Sequence, residues 1–420
     1  MDNAIVKIWD TRVGILSWNK NTRLATFKYD PKFINHGWNI SPIWMPVQRN
    51  RSIYRFPKNG IDTSFKGLPG LFSDVLPHFY NDPVLNSWYK KLGKGSTEIN
   101  PVEMLCLIGN RGLGALEFEP MPLPVPQGKD REQLNYITVI GNEILKQQIN
   151  FSVNIYNQKG IILEDLLKVQ YSVGAETKAL IAFNESTGEI RSGQINAPHG
   201  FTHWLIKFDV SNNNGSNKIA IQVAMAYYLM SLDCDIKMST SRLLNYNGRI
   251  HFMTRRFDRA KGNKKLHIQS WCALSHTDFR DTQSVHSYQQ LFQFIREHGI
   301  SNDLDQLYRR MVFNVLAKNC DDHSKNFTFI MNPIGKWELS PAYDISYSDY
   351  PGRKQHLSVN GKVMQITLVD LLEIASKEEI KGADQIIQCI KKVIKNWKYY
   401  AQKAKVPEQT IATIAQNLVA

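Results

Sequence analysis

The residues best suited to chemistry lie together between Phe313 and Phe329, in FNVLAKNCDDHSKNFTF. An apolar lead-in gives way to a packed polar cluster, then to aromatic and β-branched residues. Asp321 and Asn326 stand five positions apart with His323 and Lys325 between them, and Asp344 follows 23 residues after Asp321 in LSPAYDISYS. Phosphoryl transfer from ATP calls for such a set: a carboxylate to accept the proton of the attacking hydroxyl, and a carbonyl oxygen with a second carboxylate to hold magnesium on the triphosphate. Protein kinases meet the first need with an Asp followed five residues later by an Asn, and the second with an Asp on a later short segment. Asp321, Asn326 and Asp344 follow that order and, approximately, that spacing.

A cluster of this kind needs elements to carry it. From Ser284 the pattern turns helical: SYQQLFQFIREHG ends at a glycine C-cap, and SNDLDQLYRRMVFNVLAKN starts at Ser301 or Asn302 as N-cap candidates and delivers the chain to Asp321. Upstream, HWLIKFD flanks Lys207 with apolar residues on an expected strand. A lysine on a buried strand is costly unless its ammonium meets an anion, while a surface lysine can snorkel to water. With the downstream acids in view, phosphate binding is the favoured reading. QYSVGAETKALIAF places Gly174 and Ala175 before Lys178 and an apolar run; glycine admits close backbone approach to phosphate, although the pattern is neither a Walker A nor a full GxGxxG and, taken alone, reads as an ordinary turn. The helix-prone run SNKIAIQVAMAYYLMSL, Ser216 to Leu232, holds no acid to pair with Lys207, so a partner carboxylate must come from elsewhere, Asp344 being one candidate. RIHFMTRRFDR suits a hinge between lobes whose backbone binds the adenine edge, or an ion-pair network of Asp258 with Arg256 and Arg259; both readings stay open.

The amino-terminal 118 residues read as a mixed domain of short strands: IVKIWD, VGILSWN and RLATFKYD alternate apolar and polar residues at period two. GLPGLFSDVLPHFYNDPVLNSWYKKLG reads as a turn and an amphipathic helix, and Asp74 and Arg111 as structural residues. EPMPLPVPQ, with prolines at alternate positions, marks a linker or domain edge. Beyond Asp344 the chain reads as mostly helical, with a basic stretch from Lys391 to Lys398 that fits a solvated face.

The bulk properties bound the class. At 420 residues and 43% apolar composition the chain can bury sizeable cores in two or three domains. No apolar run is long enough to span a bilayer, and MDNAIVKIWD lacks a signal-peptide layout. Five scattered cysteines without CxxC spacing fit reduced thiols in a cytoplasm and argue against a disulfide scaffold or zinc site. A net charge of +13 attracts polyanions or serves as a solubilising surface.

With these segments assembled, the chain resembles the HipA family of bacterial toxin kinases nearly end to end. The likeness is carried by GLPGLFSDVLP and GNRGLGALEFEP, by HWLIKFD and FMTRRFDR, and by NCDDHSKNF with LSPAYDIS. It implies an α+β, protein-kinase-like fold of two lobes, β-rich then helical, with an additional β-rich amino-terminal subdomain. The expected division is residues 1–118 for that subdomain, 119–135 for the Pro-rich linker, 136–258 for the amino-terminal lobe and 259–420 for the helical lobe. The resemblance further implies an ATP- and Mg2+-dependent serine/threonine protein kinase, the cytoplasmic toxin of a toxin–antitoxin pair. Its partners would be a helix-turn-helix, HipB-like antitoxin, operator DNA through that antitoxin, and a protein substrate such as glutamyl-tRNA synthetase.

By motif, the resemblance makes Asp321 the catalytic base and Asn326 and Asp344 the magnesium ligands. Lys207 meets the phosphates, Val173, Gly174, Ala175 and Lys178 belong to the nucleotide loop, and Arg255, Arg256 and Phe257 form the adenine hinge. His323 and Lys325 sit where the family contacts phosphate. The family's loop often reads S-x-G-G-A-x-x-K with an autophosphorylated serine; here Tyr171 falls at that serine, leaving Ser172 as the candidate, and Val173 replaces a glycine and stiffens the loop. Two other readings compete: a metal-dependent phosphohydrolase using Asp321, Asp322, His323 and Asp344, and a catalytically silent scaffold holding an antitoxin on DNA.

Overall fold

The computed structural model describes residues 2–76, 99–120, 152–154, 159–160, 178–209, 216–280, 286–348 and 354–418. These fall into two compact units that share the chain in alternation. One comprises residues 1–208, 255–280 and 330–336, the other 209–254, 281–329 and 337–420.

In the first unit, the period-two segments form the expected strands. Asn3–Ile8, Thr11–Asn19, Leu24–Tyr29 and Ile53–Arg55 make an antiparallel meander, and Leu116–Pro120 adds to the free edge of the first strand. Alternation does its work in Asn3–Ile8, where Ala4, Val6 and Ile8 are fully buried. Across the meander Phe27 packs on Tyr29 and Phe72, and Tyr29 closes its hydroxyl on the Met45 carbonyl. The helix Pro101–Ile108 starts where Asn100 accepts the Glu103 N–H and proline fills the first helical position. GLPGLFSDVLP forms the single-turn helix Gly70–Ser73, and the stretch expected to continue as an amphipathic helix, residues 77–98, lies outside the described residues. So does nearly all of the Pro-rich segment, whose Glu119 and Pro120 belong to the edge strand. Asp74 and Arg111 are structural, as expected: Asp74 accepts from the Ser270 N–H and hydroxyl, and buried Arg111 donates to the carbonyls of Leu107 and Ile108.

The same unit holds a second antiparallel set, in which Lys178–Asn184 lies between Glu189–Ser192 and Thr202–Lys207. Ala179 to Phe183 are buried without a break, so this strand is covered on both faces, and Ile206 beside it is buried too. The segment 255–280 docks on the amino-terminal meander through a buried ion triad. Asp258 takes Arg256 at 2.7 Å and Arg259 at 2.8 Å and also accepts the Gly114 N–H. Arg259 continues to the carbonyls of Gly112 and Gly114, and Lys265 bridges to Glu117. Burial by itself would raise the Asp258 pKa; the two guanidinium groups overcome it and hold the carboxyl below the usual carboxylate range.

In the second unit the apolar run forms the helix Ser216–Asp233, followed by the hairpin Ser241–Tyr246 and Arg249–Arg255. Tyr227, at the centre of that helix, packs on Phe313 and Trp397 and donates to the Ala317 carbonyl. Helix Tyr288–Glu297 opens with a capping box of Ser287 and Gln290, and left-handed Gly299 follows its end, as the sequence indicates. The next helix departs from expectation. Ser301–Asp303 is a 3-10 turn, Leu304–Leu316 is the helix, and neither Ser301 nor Asn302 caps it. Asp303 takes the cap position, and its carboxylate instead accepts the Leu339 N–H, a tertiary bond that local pattern does not reveal. Four helices complete the chain: Leu368–Lys377, Ala383–Lys395, Trp397–Lys403 and Glu408–Asn417. Lys392, Lys395 and Lys398 are exposed, in keeping with a solvated face. All five cysteines are free thiols, and among the described residues no helix is long and apolar enough to cross a membrane.

Replacing Asp258 by Ala would leave two guanidinium groups buried without their counter-charge. The expected loss is about 3–5 kcal/mol of unfolding free energy, measured by denaturant titration of the full chain beside Arg51→Ala, whose parent side chain is exposed.

Candidate active site

The polar cluster leaves the end of helix Leu304–Leu316 through a short, heavily bonded turn. Lys318 adopts a left-handed conformation (φ 56°), and Asn319 folds back, its N–H on the Asn314 carbonyl and its amide on the Asn314 side chain. Residues Ser324–Asn326 form a single 3-10 turn leading into the strand Thr328–Met331. Inside it the Asn326 N–H bonds the His323 carbonyl, and the Asn326 amide nitrogen donates to the backbone carbonyl of Asp321 at 2.8 Å. With its NH2 committed there, the Asn326 amide oxygen is the atom left to face a ligand.

Asp344 comes to the same cleft from another segment. Tyr343 donates its hydroxyl to the Lys325 carbonyl at 2.7 Å and contacts the Thr328 hydroxyl, while buried Arg310 holds the Ser340 carbonyl. Residues 341–344 are thereby sewn to the turn that carries Asn326. Asp344 itself sits at φ 55°, a left-handed conformation that aspartate tolerates better than most residues and that strained sites often retain. Asn326, Asp344, Asp322 and Tyr343 line one small cleft. The Asp321 side chain is 46% exposed, with His356 Nε2 at 3.8 Å.

Under this surface runs a closed polar network. Asp322 is 1% exposed and accepts the Tyr288 hydroxyl at 2.7 Å and the His356 N–H at 2.7 Å. Asn314 donates to the Tyr288 oxygen, Asn319 to Asn314, and Ser348 to Asn319. Burial pushes the Asp322 carboxyl up to about 7, against the donors that favour its ionised form. Burial likewise raises Tyr288, reinforced by the Asp322 charge. For His323 burial lowers the pKa, with Asp321 and Asp344 pulling the other way, so the ring is held toward its neutral form.

The first unit carries the other expected residues. Lys207 ends its strand directly opposite Lys178 in the antiparallel register, so the two alkyl stems share a face of the sheet. Arg256 is committed to the ion triad and to the Gly193 carbonyl, and its N–H bonds the His203 carbonyl. The ion-pair reading of that segment therefore holds. Arg255 is exposed and Phe257 half-buried beside it. Ser172, Val173, Gly174 and Ala175 lie outside the described residues.

Sequence reasoning reached Asp321, Asn326 and Asp344 but missed Tyr288, Asn314 and His356. Tyr288 and Asn314 look like ordinary helical residues, and no motif singles out His356 in KQHLSVNG. A polar residue at a helical core position, Asn314 among Met311, Phe313 and Val315, was the available signal.

An α+β fold of this kind, with the polar cluster between a helix and a short strand, is that of a kinase-like protein. The HipA-like C-terminal domain matches residues 172–418 and the HipA N-terminal domain residues 4–119, so the chain belongs to the HipA family of toxin–antitoxin kinase-like proteins. A solved Shewanella oneidensis complex of HipA, HipB and operator DNA holds a chain similar over 99% of this one and 94% of its own, with TM-score 0.60 and 14% identity. A Haemophilus influenzae protein named "Putative kinase" is 33% identical over 109 residues; the match spans 24% of this chain and 32% of that relative's length.

Because the folded Asp322 pKa of about 7 lies above the ~3.9 of an unfolded aspartate, folding favours its protonated form. That contribution is complete below about pH 4 and is lost as pH rises through 7. Chemical denaturation at pH 5, 6, 7 and 8 is expected to give a stability that falls with pH, and Asp322→Asn a flatter curve over the same range.

Proposed function

We propose that this protein is an ATP- and Mg2+-dependent serine/threonine protein kinase. The observation that carries the reading is the join of Asn326 to the Asp321 carbonyl beside Asp344, which brings three oxygen-bearing side chains to one short turn and its neighbouring segment. Asp321, exposed at the surface, accepts the proton of the attacking hydroxyl. The Asn326 amide oxygen and the Asp344 carboxylate would hold magnesium, which neutralises charge on the transferring phosphoryl group when bound. Two protein oxygens suit that ion, which keeps waters and shares phosphate oxygens. Among the described residues no group of three His, Cys, Asp or Glu offers a self-contained metal cage.

His323 and Lys325 donate toward the phosphates, Lys178 and Lys207 supply charge from their shared strand face, and Val173, Gly174 and Ala175 cover the nucleotide. Arg255, Arg256 and Phe257 serve the adenine edge, Arg256 through its carbonyl. Ser172 is the candidate for autophosphorylation. Most of the rate gain comes from positioning and charge neutralisation. The phosphohydrolase alternative loses support because Asp322 is buried and spends its oxygens on Tyr288 and the backbone.

The division at residues 118, 135 and 258 is retained as the functional one. The chain acts in the cytoplasm as the toxin beside a helix-turn-helix, HipB-like antitoxin that links it to operator DNA. Its substrate belongs to the translation apparatus, with glutamyl-tRNA synthetase the first to test.

Purified protein incubated with γ-labelled ATP, magnesium and cytosolic extract is expected to label a protein band, with Asp321→Asn at least about 10²-fold slower. ATP binding with no transfer in any lane would favour the silent scaffold. Asp344→Asn is expected to raise the magnesium concentration for half-maximal rate severalfold; an unchanged requirement would remove Asp344 from the metal.

A further inference from the structure

We infer that His356 is a positioning residue for the Asp321 carboxylate, held in place by Asp322; the inference rests on the kinase reading above. A surface carboxylate that must accept a proton from an incoming hydroxyl needs a fixed orientation. Asn326 fixes the backbone of Asp321 and leaves its carboxylate to be set by other groups. His356 Nε2 stands 3.8 Å from Asp321 Oδ1, within ion-pair range and one small rotation from a hydrogen bond. Contacts of this kind run long without substrate and tighten in the complex. The ring is 31% exposed and the Asp321 side chain 46%, so the pair reaches the surface together.

The backbone beneath this ring is unusually constrained for a loop. Its N–H enters the buried Asp322 carboxylate at 2.7 Å. Two residues on, the Ser358 N–H bonds the His286 carbonyl, and the Tyr288 N–H bonds the Ser358 carbonyl. Tyr288 then returns its hydroxyl to the other Asp322 oxygen. The result is a closed ring of bonds through Asp322, His356, Ser358 and Tyr288, and its exposed product is one imidazole aimed at the base. His323 meets that imidazole edge-on at 5.7 Å, so Asp321 and His323 are among the titratable groups facing it within the described residues, with Asp322 under its backbone. Adjacent acids at 321 and 322 therefore divide the work: one does chemistry at the surface, the other holds the histidine that orients it.

Two measurements on the full-length protein test this. The first follows the His356 ring by NMR titration, assigned with His356→Gln, in the unaltered protein and in Asp321→Asn. Pairing predicts a His356 pKa higher by about half a unit or more when Asp321 is present; equal values would overturn the inference. The second compares kinetics. His356→Ala is expected to lower kcat about tenfold or more and reshape its pH profile, with KM for ATP within about twofold, and His356→Gln, which keeps a donor near the Nε2 position, to recover part of the loss. An unchanged kcat, or a loss that follows ATP affinity and is not eased by glutamine, would overturn it. Unaltered protein that transfers no phosphate defeats the kinase reading, and is told apart because the titration needs no turnover.

Discussion

The candidate site depends on one buried carboxylate. Asp322 has no access to water, so its oxygens must be met from within the protein or cost several kcal/mol. Each partner is a different part of the second unit: Tyr288 from the start of a helix, and His356 from the segment beyond Asp344. Satisfying a single side chain thus assembles three stretches of chain around Asp321. Buried polar groups of this kind specify geometry more than they add stability, since partial satisfaction is heavily penalised.

Around that centre the fold separates rigid support from open chemistry. The helix Leu304–Leu316 is anchored by Tyr227 on the Ala317 carbonyl and by Asn314 and Asn319 at its last turn. The residues that would meet a ligand follow at once, on a turn too short to wander. Asp344 is delivered by an independent fastening of Tyr343 to Lys325. Its left-handed backbone is tolerated because the neighbouring bonds over-determine it.

How much of this the sequence disclosed follows from the range of each interaction. The strands of the amino-terminal meander and the helix Ser216–Asp233 were legible because alternation and apolar runs are local signals. Asp321, Asn326 and Asp344 stand out in the sequence because phosphoryl transfer calls for such groups in that order, and the fold brings them to one turn and its neighbouring segment. The N-cap at Asp303 was not legible, because a tertiary bond to Leu339 competes with local capping. Nor was the role of Asp322: beside Asp321 in sequence it invites a metal-ligand reading, and only its burial assigns it to Tyr288 and His356. Asp258 lay between these cases, its arginine partners adjacent in sequence and its Gly114 partner far away.

The way the chain is shared between the two compact units bears on its synthesis. The chain passes from one to the other after residues 208, 254, 280, 329 and 336. The unit that begins at the amino terminus therefore lacks the arginine–aspartate triad until residue 259 has emerged, and lacks its last segment until residue 336. The other cannot bury Tyr227 against Trp397 until residue 397 has emerged. Long-range closures of this kind form late and slowly. A nascent chain that has not reached Trp397 thus lacks part of the packing behind the helix that leads to Asp321.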